Sequence, residues 1–275
     1  MSPQSTVHSP QSTLVEKQRE VERILASFSR VIVAFSGGVD STLLAQLAVE
    51  VLGREQVLAV TADSPSLARQ DLAETIQLAG RLGLRHQIIK TKEVENPSYQ
   101  ANSQTRCYFC KRELFQELEE LAKAEGISTI LYGAIGDDLF EERPGQQAAR
   151  EQGIRAPLQE IGLTKEEIRR LAQRLGLPNW DQPQNACLSS RIPHGTAVTV
   201  ERLALVERAE ALIRAEGFRQ VRVRYQGAHA SIEVGSEELL RLRNPDLSRR
   251  VLAAVRDCGF ETAEIDLHGY HRRNF

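Results

Sequence analysis

The chain has 275 residues, 41% of them hydrophobic and 26% charged, and its 35 Lys and Arg nearly balance its 37 Asp and Glu, for a net charge of -2. This composition excludes a wholly disordered chain and provides no overall attraction for nucleic acid or an anionic membrane. No window approaches the ~20 uninterrupted apolar residues of a membrane span, and the Ser/Gln/Pro-rich start lacks the pattern of a secretory signal. We therefore expect a soluble, cytoplasmic protein with a disordered tail at residues 1–13.

Hydrophobic patterning over residues 14–197 predicts an α/β domain on a parallel sheet. The apolar run 31–35 is typical of a strand buried on both faces, and it follows an amphipathic helix that starts at Leu14. Helices and strands then alternate, which predicts a doubly wound sheet with ligands at the carboxyl ends of its strands. The predicted strands are 31–35, 57–62, 86–90 and 129–132, and the predicted helices after the first are 41–52, 67–82, 108–125 and 164–175.

Two stretches lack a clear period. Residues 133–163 are rich in Gly, Asp, Glu and Arg, which is typical of an active-site loop, and residues 178–196 contain three prolines, which favours a loop bridging two domains. The pattern then changes and predicts a smaller α+β domain over residues 198–275. Its predicted elements are a helix from 199 to about 217, strands at 221–225, 231–234 and 263–267, and helices between 236 and 258.

The segment Ser-Gly-Gly-Val-Asp-Ser at 36–41, here called the phosphate loop, follows the first predicted strand and opens a helix. Free backbone N–H groups and the positive end of a helix attract an anion at such a place. The glycines let the backbone approach phosphate oxygens, the serines can donate hydrogen bonds, and the aspartate can orient the loop or help hold Mg2+. The lysine of a Walker A loop is absent, so we do not expect transfer of a γ-phosphate. The alternative is a turn without a ligand. The residues assigned to the nucleotide are Ser36, Gly37, Gly38, Asp40 and Ser41.

Three cysteines need a role. Cys107 and Cys110 form a C-x-x-C pair where a helix opens, and Cys187 lies in the second proline-rich loop. The helix start and the neighbouring Arg106, Lys111 and Arg191 favour thiolates. Three thiolates can hold a 4Fe-4S cluster with one open iron, form part of a zinc site or serve redox exchange. The alternative is that Cys107 and Cys110 are unpaired residues of a helix and that Cys187 is simply buried. Simple burial is also our interpretation of Cys258.

The phosphate loop resembles the PP-loop of the adenine-nucleotide α-hydrolase superfamily. Many members bind ATP and attach AMP to a carboxyl or carbonyl oxygen, releasing pyrophosphate. The resemblance therefore implies adenylation, with ATP and Mg2+ as cofactors. It also implies that Asp63, at the end of the second strand, contacts adenosine and that Gly133 belongs to the nucleotide site. For Asp63, a helix N-cap is an equally good interpretation.

A second resemblance covers nearly everything after the tail, and the Cys187 loop is its most specific part. The chain is similar to the LarE family of ATP-dependent sulfurtransferases, which convert pyridinium-3,5-biscarboxylic acid mononucleotide towards the bisthiocarboxylic form used in the nickel-pincer cofactor. One departure is at Ala134 and Ile135, where Thr and Asn are expected. The segments that carry the resemblance are 36–41, 95–99, 106–111, 143–145, 156–158, 180–181 and 186–196.

The family has two branches that differ in the source of sulfur. In one branch a single cysteine at the position of Cys187 gives up its own sulfur and becomes dehydroalanine. This sequence resembles the other branch, in which Cys107, Cys110 and Cys187 bind a 4Fe-4S cluster that carries a transferable sulfide. The resemblance also implies sulfide or a sulfur-donor system and other nickel-pincer biosynthesis proteins as partners.

A dicarboxylate mononucleotide needs cations beside the phosphate loop. Arg191 is close in sequence to Cys187 and is the expected clamp for a carboxylate or phosphate, with a surface ion pair as the alternative. Arg222 and Arg224 are two apart on a predicted strand and share a face. The resemblance places them with Glu210 near a phosphate or metal pocket at a subunit contact, and it implies a homo-oligomer. Ser190 is also assigned to the substrate.

Other functions remain open from the sequence. Asp137 and Asp138 are candidates for Mg2+ or substrate orientation, or are solvated acids of a turn. A tRNA thiolase on the same loop is disfavoured by the lack of a basic domain, and an amide ligase leaves three cysteines without a use. The non-enzymatic alternative is a zinc-stapled, nucleotide-binding interaction protein.

Overall fold

A computed structural model describes residues 10–140, 144–183 and 186–270, without the side chains of 10–13, 139 and 140. The chain forms two compact units. The first unit comprises the described parts of Met1–Ala62, Ala73–Thr91 and Lys111–Gln184, and the second those of Asp63–Leu72, Lys92–Cys110 and Asn185–Phe275. The sequence predicts two successive domains that meet at residue 197, whereas each observed unit is assembled from three separate segments of the chain.

The helices and strands follow the predicted order closely. The helices are α1 (Pro10–Ala26), α2 (Val39–Leu52), α3 (Arg69–Arg81), α4 (Pro97–Gln100), α5 (Arg106–Glu125), α6 (Pro144–Glu151), α7 (Pro157–Glu160), α8 (Lys165–Arg174), α9 (Val200–Ala215) and α10 (Pro245–Asp257). The strands are β1 (Val31–Ala34), β2 (Val57–Asp63), β3 (Arg85–Lys90), β4 (Thr129–Tyr132), β5 (Val221–Gln226), β6 (His229–Val234) and β7 (Thr262–Ile265). Short 3-10 helices lie at Arg54–Gln56, Glu93–Glu95, Gly136–Phe140, Leu188–Arg191 and Leu239–Arg243.

The first unit is built on a four-stranded sheet in the order β3-β2-β1-β4. The central strand β1 pairs in parallel with both neighbours, with Val31 opposite Val57 on one side and Thr129 on the other. The first three residues of β1 are fully buried, as a strand covered on both faces requires. The predicted parallel α/β sheet is confirmed, and its core includes Leu43 and Leu47 of α2.

The second unit has a smaller sheet in the order β5-β6-β7. Strands β5 and β6 pair antiparallel, with Arg222 opposite Glu233, and β6 and β7 pair in parallel. Helices α9 and α10 contribute buried residues such as Val206 and Val255 to the core of this unit. The predicted α+β character of the C-terminal part is confirmed.

Two predictions about irregular segments are wrong. The stretch 133–163 contains α6 and α7, and each begins with a proline, which suits the first helical position because its missing N–H would have no partner there. Pro10 likewise lies at the start of α1, so helical backbone begins inside the predicted tail, and residues 1–9 lie outside the described residues. Across the described ranges, no helix is long and apolar enough to cross a membrane.

Candidate functional site

The phosphate loop connects β1 to α2 and leaves the start of α2 open. Phe35 N–H donates to Val60 O at 2.8 Å, which fixes the end of β1 beside β2. Gly38 is the N-cap of α2 and supplies no side-chain cap, so the first backbone N–H groups of the helix are available to an anion. The loop therefore has the strand, turn and helix placement that phosphate binding requires.

The two serines of the phosphate loop lie side by side. Their Oγ atoms are 3.2 Å apart, and Ser36 N–H donates to Ser41 Oγ, also at 3.2 Å. Ser41 Oγ is 3.0 Å from Gly38 O, to which it donates, and Thr42 Oγ1 donates to the same carbonyl at 2.9 Å. These bonds fix the turn in one conformation before any ligand binds.

Two glycines form a cradle that side chains would fill. Gly37 has a φ of +74°, which favours glycine, and a Cβ there would collide with Thr75. A Cβ at Gly133 would lie 2.8 Å from Ser41 N and 3.1 Å from the carbonyl carbon of Asp40. The space over the first turn of α2 thus fits phosphate groups, and the predicted Gly133 lies directly against that turn.

Asp40 is paired with a lysine that the sequence reasoning missed. Lys165 Nζ lies 2.7 and 2.8 Å from the two carboxylate oxygens, and both side chains are partly buried. Burial raises the pKa of Asp40, and Lys165 works in the opposite direction. The capping box of Thr164 and Glu167 predicts the start of α8 correctly. A capping box does not reveal, however, that Lys165 at this helix start reaches the phosphate loop.

Asn179 also supports the phosphate loop and was not identified from the sequence. Its Nδ2 donates to Gly37 O at 2.8 Å and to Thr42 Oγ1 at 3.0 Å. Its Oδ1 is buried, and it has no hydrogen-bond partner within the described part of the chain. An unpaired acceptor beside the loop is compatible with a ligand that donates to it.

The acidic candidates near α8 are occupied by backbone groups. Asp137 Oδ2 accepts from Lys165 N–H at 2.9 Å, and Asp138 Oδ2 accepts from Ile135 N–H at 3.1 Å. Over residues 10–140, 144–183 and 186–270, no group of three or more His, Cys, Asp or Glu side chains is arranged to hold a metal ion. A Mg2+ role for Asp40, Asp137 or Asp138 therefore stays a prediction.

The end of β2 carries the predicted adenosine contact. Asp63 forms an ion pair with Arg69, the first residue of α3, and among the described residues no helix N–H donates to its carboxylate. Thr61 Oγ1 donates to Phe35 O at 2.7 Å and is buried. The N-cap interpretation of Asp63 thus has no support, and its adenosine role stays a prediction.

In the second unit, buried groups hold the loop that carries Cys187, residues 186–196, here called the cysteine loop. Leu188 N–H donates to Ser66 O at 2.8 Å. Tyr99 OH lies 2.6 Å from Ser189 Oγ, and Arg106 Nη1 donates to Ser189 O at 2.9 Å. Cys187 itself is exposed. The loop is thus fixed from inside while its thiol faces outward.

All three predicted thiols act on one pair of buried residues. Burial opposes the charge of Arg106, but its pKa is raised by its interactions with Cys187, Cys107 and Tyr99 and by a hydrogen bond with Cys107. Burial, followed by Cys187 and Cys110, raises the pKa of Tyr99, so its phenol stays protonated. Both effects place the three sulfur atoms in one electrostatic neighbourhood.

These cysteines fit an iron-sulfur cluster in the kind of donor they supply. None of the three is in a disulfide within the described residues, Cys107 and Cys187 are exposed, and Cys110 is partly exposed. Thiolates are the ligands of such clusters, and a neighbouring guanidinium favours them. They are not arranged at ligand distances within the described structure, so cluster binding requires them to close on the metal. Cys258 is partly buried, which raises the pKa of its thiol.

Arg191 is buried in the second unit. Its guanidinium is 1% exposed and binds Glu210 through Nε at 2.8 Å and Nη2 at 3.0 Å. Nη1 donates to the carbonyl oxygens of Ala186 and Cys187. Both partners of this pair are buried, so Arg191 is not in a surface ion pair, and its role as a clamp for a carboxylate or phosphate stays a prediction. Arg191 shapes the cysteine loop from within.

Several arginines surround the buried carboxylate of Glu210. Burial favours its neutral form, yet Arg191 and then Arg222 and Arg214 hold the pKa of Glu210 below its ordinary value. Burial and Arg191 lower the pKa of Arg222 to about 10. A crowded set of cations around a single carboxylate leaves positive charge for an anion.

Arg224 completes the support of the cysteine loop. It binds Glu233 through two hydrogen bonds of 3.0 and 2.8 Å and donates to Ser190 O at 2.9 Å. Arg222 and Arg224 are both buried, so a solvated strand face is excluded for them.

The family resemblance also includes the segment 143–145. Its first residue, Arg143, lies outside the described residues.

The chain is similar to several known proteins. A family model described as NAD synthase matches residues 16–124. An uncharacterized protein of Synechocystis sp. is 42% identical over 257 residues, which cover 94% of this chain and 96% of that protein. The pyridinium-3,5-bisthiocarboxylic acid mononucleotide synthase of Lactiplantibacillus plantarum is 34% identical over 261 residues, which cover 94% of this chain and 93% of that protein. A tRNA-specific 2-thiouridylase of Rickettsia africae is 30% identical over 211 residues, which cover 62% of this chain and 56% of that protein.

The parallel sheet, the phosphate loop and these matches define a PP-loop enzyme of the ATP-dependent sulfurtransferase class. Within that class, similarity along nearly the whole of both chains is decisive. The chain belongs to the LarE family, the family of the pyridinium-3,5-bisthiocarboxylic acid mononucleotide synthases.

Proposed function

We propose that this enzyme uses ATP to replace carboxylate oxygen by sulfur in pyridinium-3,5-biscarboxylic acid mononucleotide, a step of nickel-pincer cofactor biosynthesis. The observation that carries the proposal is the preformed, lysine-free phosphate loop in a LarE-family chain that also has three thiols, none of them in a disulfide, in one compact unit. The loop supports nucleotide activation, and the thiols support sulfur delivery.

The proposed activation step is adenylation. A substrate carboxylate attacks the α-phosphorus of ATP, an acyl adenylate forms, and pyrophosphate leaves. A carboxylate repels a sulfur anion, whereas the mixed anhydride is electrophilic and has AMP as a good leaving group. The N–H groups that open α2 and the two loop serines would bind the phosphates, and Mg2+ would accompany the nucleotide. Lys165 would keep the Asp40 carboxylate in place beside them.

For the sulfur step, we propose Cys107, Cys110 and Cys187 as ligands of a 4Fe-4S cluster. Such a cluster, when bound, supplies a sulfide on its open iron. Arg106 would stabilise the thiolates, and the buried arginines would keep the cysteine loop in one conformation. The alternative within the family is Cys187 as a sacrificial donor, whose exposure also permits attack on an acyl adenylate.

Substrate binding, partners and location complete the proposal. We assign the substrate phosphate or carboxylates to the cationic group around Glu210, which includes Arg191 and Arg222, and to Ser190, whose Oγ accepts from Arg191 Nη1 at 3.1 Å. We also propose a cytoplasmic homo-oligomer that receives sulfide or a sulfur carrier's sulfur and passes its product to other nickel-pincer proteins. Nucleic acid and membranes are not proposed partners.

An anaerobic turnover assay tests the function and separates the two sulfur sources. With the dicarboxylate mononucleotide, ATP and sulfide, we expect more than one thiocarboxylate per chain and no change in protein mass. Alanine at any of the three cysteines should abolish both iron-sulfur absorbance and product, because a cluster that loses one ligand is unstable. Alanine at Cys258 is the control and should leave both unchanged.

Intact-protein mass after turnover gives the opposing result. A loss of about 34 Da at Cys187, the H2S lost when cysteine becomes dehydroalanine, matched to one sulfur per chain, would refute the cluster mechanism. No thiocarboxylate under any of these conditions would refute the function itself.

A further inference from the structure

A single buried side chain joins the two segments that carry the thiols. Asn102 is 0% exposed, and its Nδ2 lies 3.2 Å from Ile192 O, 2.9 Å from Pro193 O and 2.9 Å from Thr196 O, all in the cysteine loop. Its Oδ1 accepts a hydrogen bond from Arg106 Nη1, one residue before Cys107. The amide thus reaches both sides of the site at once.

The backbone at Asn102 supports the same connection. Asn102 has a φ of +51°, and among the described non-glycine residues no other has a positive φ. Its own carbonyl accepts from Gly195 N–H at 3.2 Å. Asparagine adopts this left-handed conformation more readily than most residues. The chain therefore turns at Asn102 in a way that points both its carbonyl and its amide at the cysteine loop.

Arg106 extends the connection to the thiols. The same Nη1 that binds Asn102 Oδ1 also donates to Ser189 O at 2.9 Å, two residues after Cys187. One guanidinium nitrogen is therefore shared between Asn102 and the cysteine loop. Because Asn102 fixes Arg106, a change at residue 102 disturbs the cation as well as the loop carbonyls.

We propose that Asn102 is the positioning residue that sets the placement of Cys187 relative to Cys107 and Cys110. Only an amide provides the acceptor for Arg106 together with two N–H donors, which the three loop carbonyls share. A carboxylate in its place would face those carbonyls without a hydrogen to donate, and a glycine would keep the turn but lose every side-chain bond. The inference rests on the proposed function in one respect, namely that the three thiols act together.

The test uses Asn102→Gly and Asn102→Asp in the full chain, with Asn244→Gly as the matched control. Asn244 is also a hydrogen-bonding asparagine of the second unit, but it caps α10, which carries none of the three thiols. Hydrogen exchange of peptides covering residues 186–198 reports the order of the cysteine loop. Cd2+, added alone to the metal-free protein without oxygen, reports thiol convergence through its thiolate absorption band.

We expect Asn102→Gly to speed exchange of the loop at least tenfold and to weaken Cd2+ binding at least tenfold, while the control changes neither by more than twofold. Asn102→Asp keeps the acceptor for Arg106 but loses the donors to the loop carbonyls, so it should speed exchange of the loop to a similar extent. If Asn102→Gly does not fold, Asn102→Asp serves as the test. Unchanged exchange and Cd2+ affinity in a folded Asn102 variant would overturn the inference.

The two proposals fail in different ways. Without a Cd2+ thiolate band in the unmodified chain, the three-thiol site of the proposed function is refuted, while the exchange measurement still decides the role of Asn102. A normal band that is indifferent to residue 102 refutes the positioning role alone.

Discussion

The phosphate loop and the cysteine loop are both preformed, but they are held by different means. The phosphate loop is fixed mainly by its own short-range bonds, such as those between Ser36 and Ser41, and by its place between a strand and a helix. The cysteine loop is fixed by buried charges from elsewhere in the sequence. Arg106 reaches it from 83 positions away and Arg224 from 34.

This difference has an energetic consequence. When a substitution places a new side chain against a loop held by backbone geometry, the loop loses function, but the surrounding unit stays folded. A loop held by buried ion pairs is costly to disturb, because removal of one partner leaves the other charge uncompensated in the interior. Variants of the cysteine loop support should therefore lose stability, and variants of the phosphate loop should lose catalysis.

The largest expected effect is on stability, at Glu210. Glu210→Gln leaves the buried guanidinium of Arg191 without its carboxylate, and we expect a loss of about 3–5 kcal/mol in the free energy of unfolding at pH 7. Urea unfolding followed by circular dichroism measures it. Glu216→Gln is the control, because this residue of the same unit pairs with Arg250 at the surface, and it should change little. Equal effects of the two variants would contradict the buried-pair account.

The same variant has a pH signature. The folded-state pKa of Glu210 is held below its ordinary value, so its contribution to stability is present above the ordinary glutamate pKa of about 4.3 and is lost as pH falls through the folded value. Stability of the unmodified chain should thus decline in acid. Glu210→Gln should lack this part of the decline, and parallel pH profiles for the two proteins would contradict the assignment.

The second effect is catalytic and concerns Gly133. A Cβ in Gly133→Ala would push on the backbone of Asp40 and Ser41, and we expect substrate-dependent ATP cleavage to fall about 100-fold, since small displacements at a reacting centre are this costly. Gly80→Ala is the control, because a Cβ there meets nothing within 4 Å. A Gly133→Ala enzyme as active as the control would show that the loop tolerates displacement.

The smallest effect concerns Lys165. Lys165→Gln removes the charge that opposes the raised pKa of Asp40, so the acid limb of the pH profile for ATP cleavage should move to higher pH. At neutral pH the rate should fall by less than about tenfold, since partly exposed pairs contribute little. Lys17→Gln, which removes the similar pair with Glu167 of α8, should leave the profile unchanged. If the pH profile of Lys165→Gln is not shifted, the protonation of Asp40 does not control the rate of ATP cleavage.

The same contrast explains what the sequence could predict. The strands, most helices and the placement of residues 36–41 between a strand and a helix depend on local patterns, and the structure confirms them within a few residues. Lys165 and Asn179 reach the phosphate loop from 125 or more positions away, and neither has a local signature. The charged and glycine-rich composition of residues 133–163 predicts a loop, whereas two of its prolines start the helices α6 and α7.

The cysteine loop was identified through family resemblance, but its support was not foreseen. The burial of Arg191 and its pairing with Glu210 follow from how α9 packs against the loop in the second unit, which no spacing rule predicts. Asn102 carries no signal in a single sequence, because its left-handed backbone and its bonds to residues 90 or more positions away exist only in the folded chain.

The central claim is that the phosphate loop activates a carboxylate by adenylation, and the products of ATP cleavage test it most directly. The unmodified enzyme should be incubated with the pyridinium dicarboxylate mononucleotide, Mg2+ and ATP, and the nucleotides and phosphates separated by chromatography. We expect AMP and pyrophosphate in equal amounts, dependent on the dicarboxylate and greatly reduced in Asp40→Ala and Ser41→Ala. ADP and inorganic phosphate as the products would contradict it.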